Sequence, residues 1–284
     1  MTNLNGQLYT DLPEPLITIQ RAAYYGDGIF ETIRSFEGQI PFWELHWARL
    51  SRGVEALELE WPEEWTSTKI AQEIIKTGIH NSRIRLMVWR NQGGFFRPEN
   101  NQPQFLITVQ PLENQTYEWH EEGLSACFCH SVKLPMDELS GIKLLGGNRY
   151  VKAAMEVQKR GMQEGLLLNS ANRVCEATSS NVFWIKGGTI FYPETGEGQV
   201  VGTTQSRIIT LATNFGWTIK PVQGETEVVA DADEIFLTNA IQGVRWIRLL
   251  DGKTYDCLVT RQLFQIFQQN LFQELSKGTI SKPS

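Results

Sequence analysis

Between Arg83 and Arg90, the apolar residues Ile84, Leu86 and Val88 recur at every second position, with Arg83 and Arg85 among them. That period of two is the signature of a strand buried on one face only. Upstream the period changes. From about Trp43, the residues Trp47, Leu50, Val54 and Leu57 share one face at helical spacing, while His46 and Arg49 project elsewhere. A second helix is predicted over Thr66–Lys76, capped by Thr66 or Ser67 and stopped by Gly78. The segment 4–10 reads as a short strand with an Asn5-Gly6 turn at its base, and Pro13 and Pro15 mark a loop. Gly26-Asp27-Gly28 reads as a turn. Ile29–Phe36 reads as a strand, Glu37-Gly38 as a hairpin turn and Gln39–Phe42 as the return strand. Phe105–Val109 is another strand.

The polar stretch after Pro111 has no periodicity. It divides the chain into an N-terminal α+β domain at 1–111, a linker at 112–121 and a C-terminal α+β domain at 122–284. The second half carries predicted strands at Leu124–His130, Leu166–Asn169, Val182–Ile185, Thr189–Phe191, Gln199–Val201 and Glu234–Leu237. Helices are expected at Tyr150–Gly161 and Gln205–Phe215. Val244–Leu250 and Lys253–Tyr255 pair through Asp251-Gly252. The last helix sets Val259, Leu263, Ile266, Phe267, Asn270 and Leu271 on one stripe. Strands and helices alternate irregularly, so the fold class is α+β.

Composition excludes several functions. A net charge of -6 argues against a nucleic-acid binder. No apolar run approaches membrane-spanning length, and no signal peptide is visible at the N-terminus, so a cytoplasmic protein is expected. Cys127, Cys129, Cys175 and Cys257 read as reduced thiols. The four histidines lack metal-ligand spacing, so no metal site is expected.

The chemistry concentrates between Ser140 and Phe183. Lys143 follows a loop containing Pro135 and Gly141 and has apolar neighbours. Burial there lowers an amine's pKa, which suits a base or a Schiff-base former. Glu176 precedes a run of small residues and can meet a cation in a cleft. An amine that forms an imine and an acid that holds a pyridine nitrogen protonated are the two groups pyridoxal phosphate (PLP) requires. Two stretches suit a phosphate. Gly202-Thr203-Thr204 opens a helix, and Thr238-Asn239-Ala240 follows a strand. Arg49 adds a fixed charge. Capping, a plain turn and a solvated helix face are the commoner uses of these residues. Ser140-x-x-Lys143 and Lys76-Thr77-Gly78 imitate serine β-lactamase motifs. Their order is reversed and Ser-Asp-Asn is missing.

Together these blocks resemble the class IV aminotransferases, the fold-type IV PLP enzymes. These include branched-chain aminotransferases, D-amino-acid aminotransferases and 4-amino-4-deoxychorismate lyases. The resemblance runs from about Tyr24 to Val244. It is carried by Gly26-Asp-Gly-Ile-Phe-Glu31-Thr-Ile-Arg34, His46-Trp-Ala-Arg49-Leu50, Lys143, and Val174-Cys-Glu176-Ala-Thr-Ser-Ser-Asn-Val-Phe183. It implies a two-domain fold like that of D-amino-acid aminotransferase, with PLP in the cleft, and a homodimer whose partner loop closes each pocket. It implies Lys143 as the Schiff-base lysine and Glu176 as the pyridine-nitrogen acid. Arg49, Gly202, Thr203, Thr204, Asn239 and Ala240 match the phosphate cradle.

The implied reaction moves an amino group between an amino acid and a 2-oxo acid. The alternative is cleavage of aminodeoxychorismate to 4-aminobenzoate and pyruvate. Tyr25, Arg90 and Arg97 are the candidates for holding substrate. The chain departs from its relatives in places. Gln205 stands where family members often have arginine, so that arginine is absent or replaced by Arg207. Ala240 replaces a threonine of some relatives. Gly146-Gly147-Asn148 is shifted by one residue, so Asn148 and Tyr150 both remain candidates for the PLP ring oxygen. The Arg-x-His trap of D-amino-acid aminotransferases is missing. Glu31-Thr32 leans toward the lyase and D-amino-acid branches.

Overall fold

The computed structural model describes residues 2–4, 7–9 and 19–278. Strands β1 (Thr2–Leu4) and β2 (Gln7–Tyr9) pair antiparallel. Asn5, Gly6, Pro13 and Pro15, with the turn and loop expected there, lie outside the described residues.

A three-stranded antiparallel sheet follows, β3 (Gly28–Ser35), β4 (Ser82–Arg90) and β5 (Pro103–Pro111), in that order. Its alternation is the one read from the sequence. Ile84, Leu86 and Val88 are fully buried under helices Trp43–Ala56 and Ser67–Lys76. The Thr66 hydroxyl caps the second helix by accepting from Lys69 N at 3.2 Å. Gly53 lets the first helix lie against β3, since a Cβ there would meet Ile29 Cδ1 at 2.9 Å. The return strand expected at 39–42 shrinks to a single bridge between Phe36 and Gln39. Glu37 and Gly38 both have positive φ, as a tight hairpin turn demands. Pro41 then cannot donate to a ladder, and Phe42 at φ 59° swings the chain into the helix.

The second half forms a ten-stranded mixed sheet. Its strands are β6 (Leu124–Leu134), β7 (Glu164–Asn169), β8 (Arg173–Ala177), β9 (Asn181–Lys186), β10 (Thr189–Pro193), β11 (Ile219–Val222), β12 (Gly224–Glu225), β13 (Glu234–Asn239), β14 (Gly243–Leu250) and β15 (Lys253–Thr254). The order is β11-β10-β9-β13-β14-β6-β7-β8-β12, with β15 on β14. Both faces are covered. On β9, Val182 and Trp184 enter one core with Ile235 and Leu237, while Phe183 and Ile185 enter another with Phe236. Helices Thr203–Asn214 and Leu258–Ser276 close that second core, and helix Asn148–Lys159 packs on β6 and β7. Along the last helix Leu263, Phe267, Asn270 and Leu271 are buried, whereas Val259 and Ile266 are half-buried.

Gln199–Val201 is not a strand. Its backbone is held by side chains instead of a neighbouring strand. Asn181 Nδ2 donates to Val200 O at 2.7 Å, and Val200 N donates to Glu176 Oε2 at 3.2 Å. His46 and Arg49 do not project away from the protein but are buried, because β3 places Glu31 against them. Among the described residues no helix is long and apolar enough to cross a membrane, and no cluster suits a metal ion.

Candidate active site

A cavity of about 520 Å³ lies where β3 and β4, the 134–150 connection and the rims of the large sheet meet. Lys143, Glu176 and Arg49 line it, as do Gly202, Thr203, Thr204, Asn239 and Ala240. These residues come from both halves of the chain.

Lys143 is fixed by its backbone. Phe30 N donates to Lys143 O, and Leu145 N donates to Gly28 O, both at 2.9 Å. The segment thereby docks along β3, and the ammonium nitrogen sits 4.5 Å from the Phe30 ring centre. Burial and the Arg49 charge lower the amine's pKa from 10.5 to about 8, against the pull of Glu31 and Glu176.

Glu176 owes its direction to an irregularity. Leu167 pairs with Glu176 but Leu168 pairs with Val174, so Cys175 is an extra residue on β8. The bulge turns Glu176 off the face that Val174 occupies. Glu176 as a residue is 5 % exposed. Oε1 accepts from Tyr150 Oη at 2.5 Å and Oε2 from Val200 N. Burial pushes its pKa up to about 7 despite these bonds and the nearby charges of Lys143 and Arg49.

Arg49 is gripped by Glu31. Nε and Nη2 donate to the two carboxylate oxygens at 2.7 and 2.6 Å, and His46 Nδ1 is 2.8 Å from Oε2. Burial would raise the Glu31 pKa, but Arg49 and His46 bring it down to about 2. Burial, with the Arg49 and Lys143 charges, keeps the His46 imidazole pKa low. Arg49 Nη1 also donates to Val201 O at 3.2 Å, which places the guanidinium at the start of helix Thr203–Asn214. The first N–H groups of that helix have no intrahelical acceptor, the arrangement that suits an anion. Gln205 occupies itself locally, accepting from Gly202 N at 3.0 Å. Arg207 does not substitute for the missing arginine. It donates to Asn270 at 2.6 Å, away from the cavity.

Asn239 Oδ1 accepts from Ile241 N and Gln242 N at 2.9 and 2.7 Å, shaping the turn that carries Ala240. Of the two ring-oxygen candidates, Tyr150 lines the cavity and donates to Glu176. Asn148 is exposed and does not line it.

Tyr25, Arg90 and Arg97 do not line this cavity. Arg90 has the same parity as Ile84, Leu86 and Val88, so β4 turns it to the buried face. There it donates to Asp27, Asn101 and Leu57 O. Arg97 is exposed, and Tyr25 packs on Phe96 with ring centres 5.1 Å apart. The cations that do line the cavity are Arg83, Arg85 and Arg149, besides Arg49 and Lys143. The alternation on β4 marked Arg83 and Arg85 as lying on the open face, but nothing local showed that a cavity faces them. The Thr178–Ser180 loop was also missed. Buried Glu164 shapes it by accepting from Thr178 N at 3.2 Å, Ser179 Oγ at 2.9 Å and Thr178 Oγ1.

The sequence profile of the family described as amino-transferase class IV matches residues 28–250. The chain belongs to that family. An aminodeoxychorismate lyase of Bacillus subtilis (strain 168) is 27% identical over 247 residues, spanning 85% of this chain and 83% of that protein. The crystal structure of 4-amino-4-deoxychorismate lyase from Pseudomonas aeruginosa is 26% identical. It has a TM-score of 0.81 and covers 94% of this chain and 98% of its own. A branched-chain aminotransferase from the thermophilic archaeon Thermoproteus uzoniensis, solved with norvaline, is 20% identical with a TM-score of 0.81, covering 96% and 95%. Another branched-chain aminotransferase of the same fold was solved with pyridoxamine 5'-phosphate. The fold is therefore fold type IV, and the family depends on PLP. The donor set fits that cofactor. It offers an amine of lowered pKa, a buried carboxylate and a guanidinium beside a helix N-terminus.

Proposed function

We propose that this enzyme acts on the amino group of a substrate bearing two carboxylates, with elimination from aminodeoxychorismate as the leading reaction. One observation carries the dicarboxylate part of the reading. Arg83, Arg85 and Arg149 line the cavity near Lys143, and among the described residues none of them has a carboxylate partner. Burial and the neighbouring Arg83 charge lower the Arg85 pKa, so an anion beside Arg85 would be favoured. The guanidinium of Arg85 rests on the Phe30 ring at 4.0 Å. The relatives named as aminodeoxychorismate lyases support the same choice. Transamination between an amino acid and a 2-oxo acid is the second reading. The arginines equally suit a dicarboxylic amino donor, and other relatives are named as aminotransferases.

PLP, when bound, withdraws electrons from the carbon bearing the amino group. Lys143 Nζ takes the proton from that carbon and returns one later in the reaction. Its pKa near 8 leaves a useful fraction of free base at neutral pH. Glu176 holds a positive pyridine nitrogen, with Tyr150 and Val200 N fixing both carboxylate oxygens. Arg49, the first turn of helix Thr203–Asn214 and the Asn239-Ala240 turn hold the phosphate. Incubation with aminodeoxychorismate is expected to release pyruvate and 4-aminobenzoate while the cofactor spectrum returns to its starting form. Conversion to the pyridoxamine form by an L- or D-amino acid, with no pyruvate from aminodeoxychorismate, would establish transamination instead.

A homodimer is part of this proposal. Phe95 and Phe96 are 82% and 87% exposed, and Phe96 packs on Tyr25, whose ring also meets that of exposed Tyr24, forming an apolar surface suited to a second copy. Sedimentation is expected to give twice the 32.4 kDa chain mass, and Phe95→Asp with Phe96→Asp to give the monomer. The free thiols support a cytoplasmic location.

A further inference from the structure

Arg34 is a buried cation, 6 % exposed, with no carboxylate in ion-pair contact among the described residues, Glu118 acting on it only from a distance. The two terminal nitrogens of its guanidinium are held by backbone carbonyls, and its face by rings. Nη1 donates to Ile241 O at 2.5 Å, and Nη2 donates to Asn114 O and Thr116 O at 2.8 Å each. The Phe36 and Tyr117 ring centres each lie 4.7 Å from its central carbon. Burial lowers its pKa, and Nε is left without a partner. Burying a cation in this way is costly, and an apolar side chain would pack here without that penalty. The arrangement therefore needs a reason beyond stability.

The reason lies in what Arg34 holds. Tyr117 Oη donates to Ala240 O at 2.9 Å. Arg34 and Tyr117 thus take two consecutive carbonyls of the turn lining the cavity. In a planar trans peptide the carbonyl and the following N–H point in opposite directions. The N–H groups paired with those carbonyls, Ile241 N and Gln242 N, both converge on Asn239 Oδ1. The turn is gripped from both sides. Of its three amides, Ala240 N–H has no acceptor among the described residues. We propose that Arg34 is a positioning residue for the phosphate end of the cavity: with Tyr117, it fixes the 239–242 turn so that the Ala240 amide stays available to the phosphate. This rests on the assignment of that turn to the phosphate. It also makes β3 a support for a site element that belongs to the large sheet.

The test compares PLP with pyridoxal, which lacks the phosphate, in direct binding titrations on cofactor-free protein. In Arg34→Met, PLP affinity is expected to fall about tenfold, with pyridoxal affinity unchanged. Arg34→Lys keeps the charge but cannot span three carbonyls, and is expected to lose the same preference. Tyr117→Phe removes a single hydroxyl and is expected to lose part of it. That variant carries the test should Arg34→Met fail to fold. Parallel losses for both ligands, full preference in Arg34→Lys, or an unchanged preference in Tyr117→Phe would each overturn the proposal. A parent protein with no preference for PLP over pyridoxal would overturn the phosphate assignment itself, and Arg34's part with it.

Discussion

Lys143 and Glu176 are both held away from their ordinary ionisation, in opposite senses and for one reason: burial disfavours charge. For Lys143 the consequence is kinetic. Capture of PLP by cofactor-free protein is expected to speed up with rising pH and level off above about 8, where the amine is free base. Arg49→Met removes a neighbouring positive charge and should move that inflection upward. Stopped-flow absorbance against pH checks both. For Glu176 the consequence is stability. Its folded pKa, about 7, lies above the ordinary carboxylate value of 4.5. Between those values the folded chain holds a proton that the unfolded chain has lost, so stability falls as pH rises through that window. The full penalty, about 3 kcal/mol, applies above pH 7. Cofactor-free Glu176→Gln should therefore be more stable than the parent above pH 7 and no more stable below 4.5, as read by urea midpoints. The same variant is expected to bind PLP and to deprotonate substrate slowly in single turnovers.

Among the elements, helix Thr203–Asn214 shows how tightly the proposed anion site is built. Gly202 has an ordinary φ of -77°, so the glycine serves space alone. A Cβ there would lie 1.9 Å from Asn181 Oδ1, and Asn181 holds Val200 O. Gly202→Ala is expected to cost about 1–2 kcal/mol of PLP affinity, a loss that shrinks in an Asn181→Ala background. Fluorescence titration measures it. The same neighbourhood shows what the sequence could reveal. Ser82–Arg90, helix Trp43–Ala56 and the Thr66 cap were legible because period and capping are local. Gln199–Val201 was not, since its backbone is tied to the Asn181 and Glu176 side chains, which lie on other elements. Arg49 was legible as a cation but not as a buried one. Its cover, Glu31, lies on another element. Arg90 failed as a substrate residue on parity alone, a fact already present in the alternation around it. Strand β8, with its bulge at Cys175, gave no clear period to read.

At the scale of the molecule, the cavity borrows walls from both sheets, so a ligand there ties them together. PLP at a hundredfold excess over its Kd should stabilise the fold by about 2.7 kcal/mol. Calorimetry is expected to show one transition moving upward; a fixed second transition would mean the sheets melt independently. The way Lys143 is docked reaches further. Its segment meets β3 through main-chain N–H and carbonyl groups, at Phe30 N and Gly28 O. Every residue type except proline can supply an N–H, and every residue a carbonyl. Side chains facing the substrate from β3 and β4 can therefore be exchanged without breaking the bonds that place the amine. Over evolutionary time such a scaffold can change what it accepts while keeping the proposed proton-transfer group, Lys143, in register. A single lineage can then diversify into enzymes with different products from one constant reactive centre.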